Sequence, residues 1–186
     1  MTKKKLKIRE SAGERFALLA AMNEEIMHTA DLGNLWHIRN PATLRVTLAR
    51  YCAQGLLHRI QKGLYSLKKP TDLNPYLLGM KVLHRTAYIS CETVLFDNGV
   101  ISQPPQYIAL ISAVSRQFTV VGQAYRSRKL ADRFLFNDAG IDLHAGVRIA
   151  SVPRAVADTL YFNPKKYFDV ATAINWQAVR DIVHTI

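Results

Sequence analysis

The chain has 186 residues, 49% of them hydrophobic, with 25 Lys+Arg against 14 Asp+Glu and a formal net charge of +11. That supply of apolar side chains supports one large core or two small ones and excludes a disordered polyelectrolyte. Two cysteines, Cys52 and Cys91, and apolar runs interrupted by charge exclude a disulfide framework, a cysteine-based zinc site and a membrane span, so a cytoplasmic protein with reduced thiols is expected.

The charge is uneven. Residues 1–70 hold 13 basic and 5 acidic side chains, whereas the other 116 hold 12 and 9. A positive field concentrated on the first third is the footprint of a polyanion-binding domain joined to a more neutral one. The run Lys3-Lys4-Lys5-Leu6-Lys7-Ile8-Arg9 reads as a basic arm ahead of the first folded element. Ser11-Ala12-Gly13-Glu14 has the spacing of a capping box, and Phe16, Leu19 and Ala20 predict a first helix ending near Met22 or Asn23. Ile26-Met27-His28 reads as a short strand, and Thr29 as the cap of a second helix carrying Leu32, Leu35 and Trp36 on one face.

The next 28 residues are the most informative. Asn40 is a strong N-cap and Pro41 suits the first helical position, where its missing N–H costs nothing. Leu44, Leu48, Tyr51 and Cys52 recur at helical spacing, which leaves Thr43, Arg45, Val46, Ala49, Arg50 and Ala53 toward the other side. Gly55 ends the helix, and Leu57-His58-Arg59-Ile60 and Leu64-Tyr65-Ser66-Leu67 predict a hairpin with Lys62 and Gly63 at its turn. Helix, helix, helix, basic hairpin is the order of a winged helix-turn-helix. The reading assigns Thr43, Arg45 and Val46 to base edges and Arg39, Arg50, Arg59 and Lys62 to phosphates. Tyr65 anchors the wing and can offer its hydroxyl to a phosphate, and Lys3, Lys4 and Lys5 supply the arm.

Lys68-Lys69-Pro70-Thr71-Asp72 reads as a linker, which divides the chain into residues 1–70 and 71–186. Asn74-Pro75 opens a helix to about Leu83, Tyr88-Ile89 is extended, and Ser90 is expected to cap a short helix before the turn Asp97-Asn98-Gly99. Residues 107–111, 117–121 and 146–150 have strand composition. Ser151 opens a helix to about Leu160, Asn163-Pro164 is expected to cap another, and Trp176, Val179 and Val183 lie on a last one. The whole is an α+β fold: an N-terminal winged helix-turn-helix followed by a mixed α+β domain.

Enzyme signatures are scarce: no glycine-rich phosphate loop, nucleophile elbow or His-Glu-x-x-His motif is present. Asp138, Asp142 and His144 form the one compact set of metal-capable groups, in a segment that reads as a loop around Gly140 and Gly146. Asp138 and Asp142 would have to lead the metal site of the rival reading, a nuclease-like enzyme targeted by a winged helix. Arg154 and Asp158 have the i, i+4 spacing of a structural ion pair.

Three motifs in this order resemble the AbiEi family of antitoxins and transcriptional regulators from type IV toxin-antitoxin systems of phage defence. They are the wing Arg59-Ile60-Gln61-Lys62-Gly63-Leu64-Tyr65, the run Ala87-Tyr88-Ile89-Ser90-Cys91-Glu92 with Leu95 behind it, and Val152-Pro153-Arg154-Ala155 with Asp158. The likeness spans most of residues 11–165, with Asp97-Asn98-Gly99 in place of a more usual histidine-containing turn and a shorter C-terminus than many members. It implies an N-terminal domain that binds inverted repeats in its own promoter, and because one such domain reads only a short half-site, two copies are expected on the operator. It also implies a C-terminal domain that counteracts a nucleotidyltransferase-like toxin, without catalysis, cofactor or metal.

Overall fold

The computed structural model describes residues 12–22 and 24–185; the basic arm with Lys3, Lys4 and Lys5, and Ser11 of the expected capping box, lie outside them. The described residues form a mixed α+β structure with eight α-helices and two sheets, and the chain divides between Leu73 and Asn74 into two compact units.

In the first unit, helix α1 (Ala12–Ala21), strand β1 (Ile26–His28), helices α2 (Thr29–Leu35) and α3 (Pro41–Ala53), and strands β2 (His58–Gln61) and β3 (Leu64–Ser66) follow one another. The sheet order is β1-β3-β2, antiparallel throughout. Leu19, Met27, Leu32, Trp36, Leu44, Leu48, Tyr51 and Leu57 make one core, with contributions from every helix and from β1. Each fully buried leucine in it contributes roughly 1.5–3 kcal/mol. The second helix starts one residue earlier than expected: His28 is its N-cap, and Asp31 accepts from the His28 N–H at 3.2 Å, so Thr29 is already helical. Thr29 instead donates its backbone N–H to the Gly63 carbonyl at 2.9 Å, which ties the hairpin turn to α2.

The second unit is a six-stranded mixed sheet of order β6-β7-β5-β4-β9-β8. Its elements are α4 (Pro75–Leu83), β4 (Ala87–Ile89), α5 (Glu92–Asp97), β5 (Ile108–Ser112), β6 (Arg116–Val120), β7 (Gln123–Lys129), α6 (Asp132–Leu135), β8 (Ile141–His144), β9 (Val147–Ala150), α7 (Val152–Phe162) and α8 (Trp176–Thr185). Helix α4 packs on one face of the sheet, where a Cβ on Gly79 would stand 2.5 Å from the Tyr125 ring. That ring is stacked on Phe118, with centroids 5.0 Å apart, and its hydroxyl donates to the Pro75 carbonyl, so it has no room to yield. Helices α5 and α7 cover the opposite face, and α8 packs on α7.

Several local expectations are corrected here. Ser90 does not cap α5: Cys91 holds that position with φ +52°, and the Ser90 hydroxyl points away to Asp158. Asp142 and His144 lie on strand β8, not in a loop, because the alternation of residues 141–144 is satisfied by pairing with β9. Asn163-Pro164 opens no helix; Asn163 ends α7 and accepts from the Lys165 N–H, and an irregular stretch precedes α8. Strand β7 was not expected, since Tyr125-Arg126-Ser127-Arg128 carries too much charge to read as an inner strand.

Candidate nucleic-acid interface

Helix α3 begins as its sequence dictates. Asn40 Oδ1 accepts from the N–H groups of Ala42 at 2.9 Å and Thr43 at 3.2 Å, and Pro41 fills the first turn. Leu44, Leu48 and Tyr51 are buried, and Trp36 of the preceding turn stacks on Tyr51 with ring centroids 5.2 Å apart. The turn between α2 and α3 is closed by backbone bonds from His37 to Asn34 and from Ile38 to Gly33. Gly33 belongs to this contact: a Cβ there would stand 3.0 Å from Leu44 Cδ2, so the two helices approach at a distance only glycine allows without displacement. The pose of α3 is thereby set by its buried face.

Its outer face is what remains. With a rotation of about 100° per residue, Val46, Ala42, Ala49 and Ala53 fall at the centre of the solvent face. Thr43 and Arg50 lie toward one flank and Arg45 lies on the other. Thr43, Arg45 and Arg50 are exposed, and Val46 is 53% exposed. Arg45 Nε donates to the Pro41 carbonyl at 3.4 Å. The Thr47 hydroxyl donates to the Thr43 carbonyl.

The other sequence-chosen residues surround this face. Arg39 is exposed just before α3 and Lys62 is exposed at the hairpin turn. Arg59 lies opposite Tyr65 in the β2–β3 ladder, next to a bulge between Arg59 and Gln61. Its guanidinium reaches far enough toward α3 to act on the Cys52 thiol, whose pKa is raised by burial and partly lowered by Arg59. Tyr65 packs half-buried against the core. Sequence reasoning passed over Arg15 and His37, which line one open groove with Arg39, Asn40 and Thr43. The signal for Arg15 was its place one helical turn before Leu19; its nearness to Arg39 is tertiary.

In the second unit, the motif residues Tyr88, Ser90, Arg154 and Asp158 meet inside the protein. Arg154 is fully buried and uses all five of its N–H donors. Nε bonds Asp158 Oδ1 at 3.1 Å, Nη1 the carbonyls of Asn137 and Ala139, and Nη2 the Tyr88 hydroxyl and the Phe134 carbonyl. Asp158 Oδ2 accepts from the Tyr88 hydroxyl at 3.0 Å and Ser90 Oγ at 2.7 Å. Burial pushes the Asp158 carboxyl above its ordinary pKa while Arg154, Ser90 and Tyr88 pull it back; burial and Asp158 push Tyr88 up, so its hydroxyl stays protonated. With no donor left over, this cluster fastens the end of α6 and the 136–139 turn after it and offers no donor to a substrate. Glu92 lies apart from it and pairs with Arg128.

Asp138, Asp142 and His144 do not converge. Asp138 pairs with Arg148, and no group of three or more His, Cys, Asp or Glu side chains suited to a metal ion occurs among the described residues. No helix among them is long and apolar enough to cross a membrane.

The class that fold and sites define is a two-unit α+β protein with an exposed, positively charged helix face and hairpin in its first unit. No protein-family model matches the chain, and no curated protein does. Among solved structures, the crystal structure of RV2827C protein from Mycobacterium tuberculosis is similar, with a TM-score of 0.56 at 11% identity, covering 93% of this chain and 71% of that one. At that identity the likeness concerns the fold.

Proposed function

We propose that this protein is a sequence-specific DNA-binding repressor whose residues 1–70 act as a winged helix-turn-helix. Helix α3 enters the major groove of double-stranded DNA and the β2–β3 hairpin serves as the wing. The observation that carries the reading is the division of α3: one face locked in the core by Leu44, Leu48 and Tyr51, the other free and bearing Thr43, Arg45, Val46 and Arg50. Small residues at the centre of the free face let the helix backbone sit deep in a groove, while Arg39, Arg50, Arg59 and Lys62 stand where phosphates pass. The exposed Val46 fits a thymine methyl. On this reading the protein is cytoplasmic and performs no catalysis.

The resemblance of the three motifs extends the proposal: the protein is an AbiEi-type antitoxin that represses its own operon from an inverted repeat occupied by two copies. Its second unit counteracts a nucleotidyltransferase-like toxin encoded alongside. Fluorescence anisotropy with DNA from upstream of its own gene, against a scrambled duplex over a range of salt, tests the first step. A preference of at least about 10³ for the upstream DNA is expected of a specific binder, and equal affinity for both overturns the reading. For the second step, growth is followed with the neighbouring toxin expressed from a separate promoter. A folded double variant, Arg45→Glu with Arg50→Glu, loses DNA binding and still rescues growth; failure to rescue means that one surface serves both tasks.

A further inference from the structure

Strand β7 carries a feature that neither the DNA-binding surface nor the buried Arg154 cluster uses. Arg126 and Arg128 alternate along it, so both side chains rise from the sheet face that α5 and α7 cover. They open into a cavity of about 390 Å³ whose rim includes Lys166. Arg128 is fixed by Glu92 Oε1 and lies 5.4 Å over the Phe162 ring, while Arg126 donates to the Tyr107 hydroxyl at 3.1 Å. Neither Arg126 nor Lys166 has a carboxylate partner among the described residues. Within this cavity Glu92 is thus the one acid among three cations, and its second oxygen, Oε2, is buried without a hydrogen-bond partner.

A second cavity, about 340 Å³, neighbours the first and shares Glu92 and Lys166 with it as lining residues. Its walls differ in chemistry: Tyr107 and Tyr167 supply aromatic faces, Gln103 and Gln106 supply amides, and Asp169, whose Oδ2 accepts from the Ser102 N–H, adds a second carboxylate on this side. One half therefore suits a compact anion held by guanidinium and ammonium groups. The other suits a flat polar ring, and between them a carboxylate oxygen lacks the donor that its burial calls for.

We propose that these two neighbouring cavities together bind a nucleoside phosphate: the phosphate between Arg126, Arg128 and Lys166, a sugar or base donor on Glu92 Oε2, and the base against Tyr107 and Tyr167. Each space, about 390 and 340 Å³, lies at the lower end of the usual range of small-ligand sites, roughly 300–1,000 Å³. The site lies wholly in the second unit and holds or fails independently of DNA binding.

Isothermal titration calorimetry of the full-length protein tests it, with adenosine and guanosine 5′-monophosphate, the two parent nucleosides and inorganic phosphate as titrants. At least one nucleotide is expected to bind once per chain, about tenfold or more tighter than either its nucleoside or inorganic phosphate. Lys166→Gln and, separately, Arg126→Gln weaken it by about tenfold each, as loss of one charge-assisted contact does, with unchanged thermal unfolding. Glu92→Gln narrows the gap between nucleotide and inorganic phosphate, because it alters the contact to the nucleoside half. No saturable binding below about 1 mM, binding untouched by both Lys166→Gln and Arg126→Gln, or inorganic phosphate binding as tightly as the nucleotides would each overturn the proposal.

Discussion

The two units use arginine in opposite ways. In the first, Arg39, Arg45, Arg50 and Arg59 stand exposed around a helix whose other face does the folding. In the second, Arg154 has no exposed surface and all five donors committed, to one carboxylate, one hydroxyl and three backbone carbonyls. An exposed guanidinium keeps its hydration and contributes little to stability, so it is available to a polyanion. A buried one must be satisfied on every side, and once it is, it becomes a fastening for the loop around it. The same side chain is left to solvent in one unit, where the proposed reading uses it for recognition, and is a structural pin in the other.

The comparison breaks most visibly at Arg154. Arg154→Ala strands the Asp158 carboxylate and three carbonyls in the interior, and a loss of about 3–5 kcal/mol is expected, read from urea unfolding of the full chain. A loss below about 1 kcal/mol, the scale of an exposed pair, would mean that the cluster is not the pin described. Next in size is Gly79→Ala. Its methyl group has to displace a tyrosine ring held by both Phe118 and the Pro75 carbonyl, at about 1–3 kcal/mol, the ordinary cost of overpacking.

The first unit is expected to behave in reverse. Arg45→Ala leaves stability within about 0.5 kcal/mol of the parent, yet costs about 1–3 kcal/mol at its preferred base pair. Lys62→Ala weakens all duplexes alike and flattens the salt slope by about one. Anisotropy titrations at several salt concentrations separate the two, and indistinguishable variants would remove the distinction between base and phosphate contacts. The smallest effect is chemical: burial pushes the Cys91 thiol up to about 12, whereas Cys52 is only half-buried. A thiol reagent at pH 8 therefore modifies Cys52 in the native protein and reaches Cys91 only after unfolding; equal labelling rates would show that the second core opens as readily as the surface.

What could be read without coordinates was whatever is encoded over a few residues. Asn40-Pro41 and Asn74-Pro75 cap their helices because the side-chain oxygen and the amides it satisfies lie two and three positions apart, and Lys62-Gly63 turns the hairpin for an equally local reason. The i, i+4 spacing of Arg154 and Asp158 was legible too. Their burial was not, because Tyr88 is 66 residues from Arg154 and Ser90 is 68 from Asp158, and no local pattern distinguishes a serine that caps a helix from one that donates to a distant carboxylate. Asn163-Pro164 misled for the same reason: the pair fits a helix start and a helix stop alike, and packing of α7 against its neighbours chose the stop. Strand β7 was hidden by its arginines, which the sheet tolerates because Glu92, Tyr107 and Phe162 receive them across the fold. Local sequence by itself determined where α3, α4 and α7 begin, where the hairpin turns and which face of α3 is apolar. Only tertiary structure decided which charges are buried, which remain free, and which cavities they line, since those depend on partners that the chain brings together only by folding.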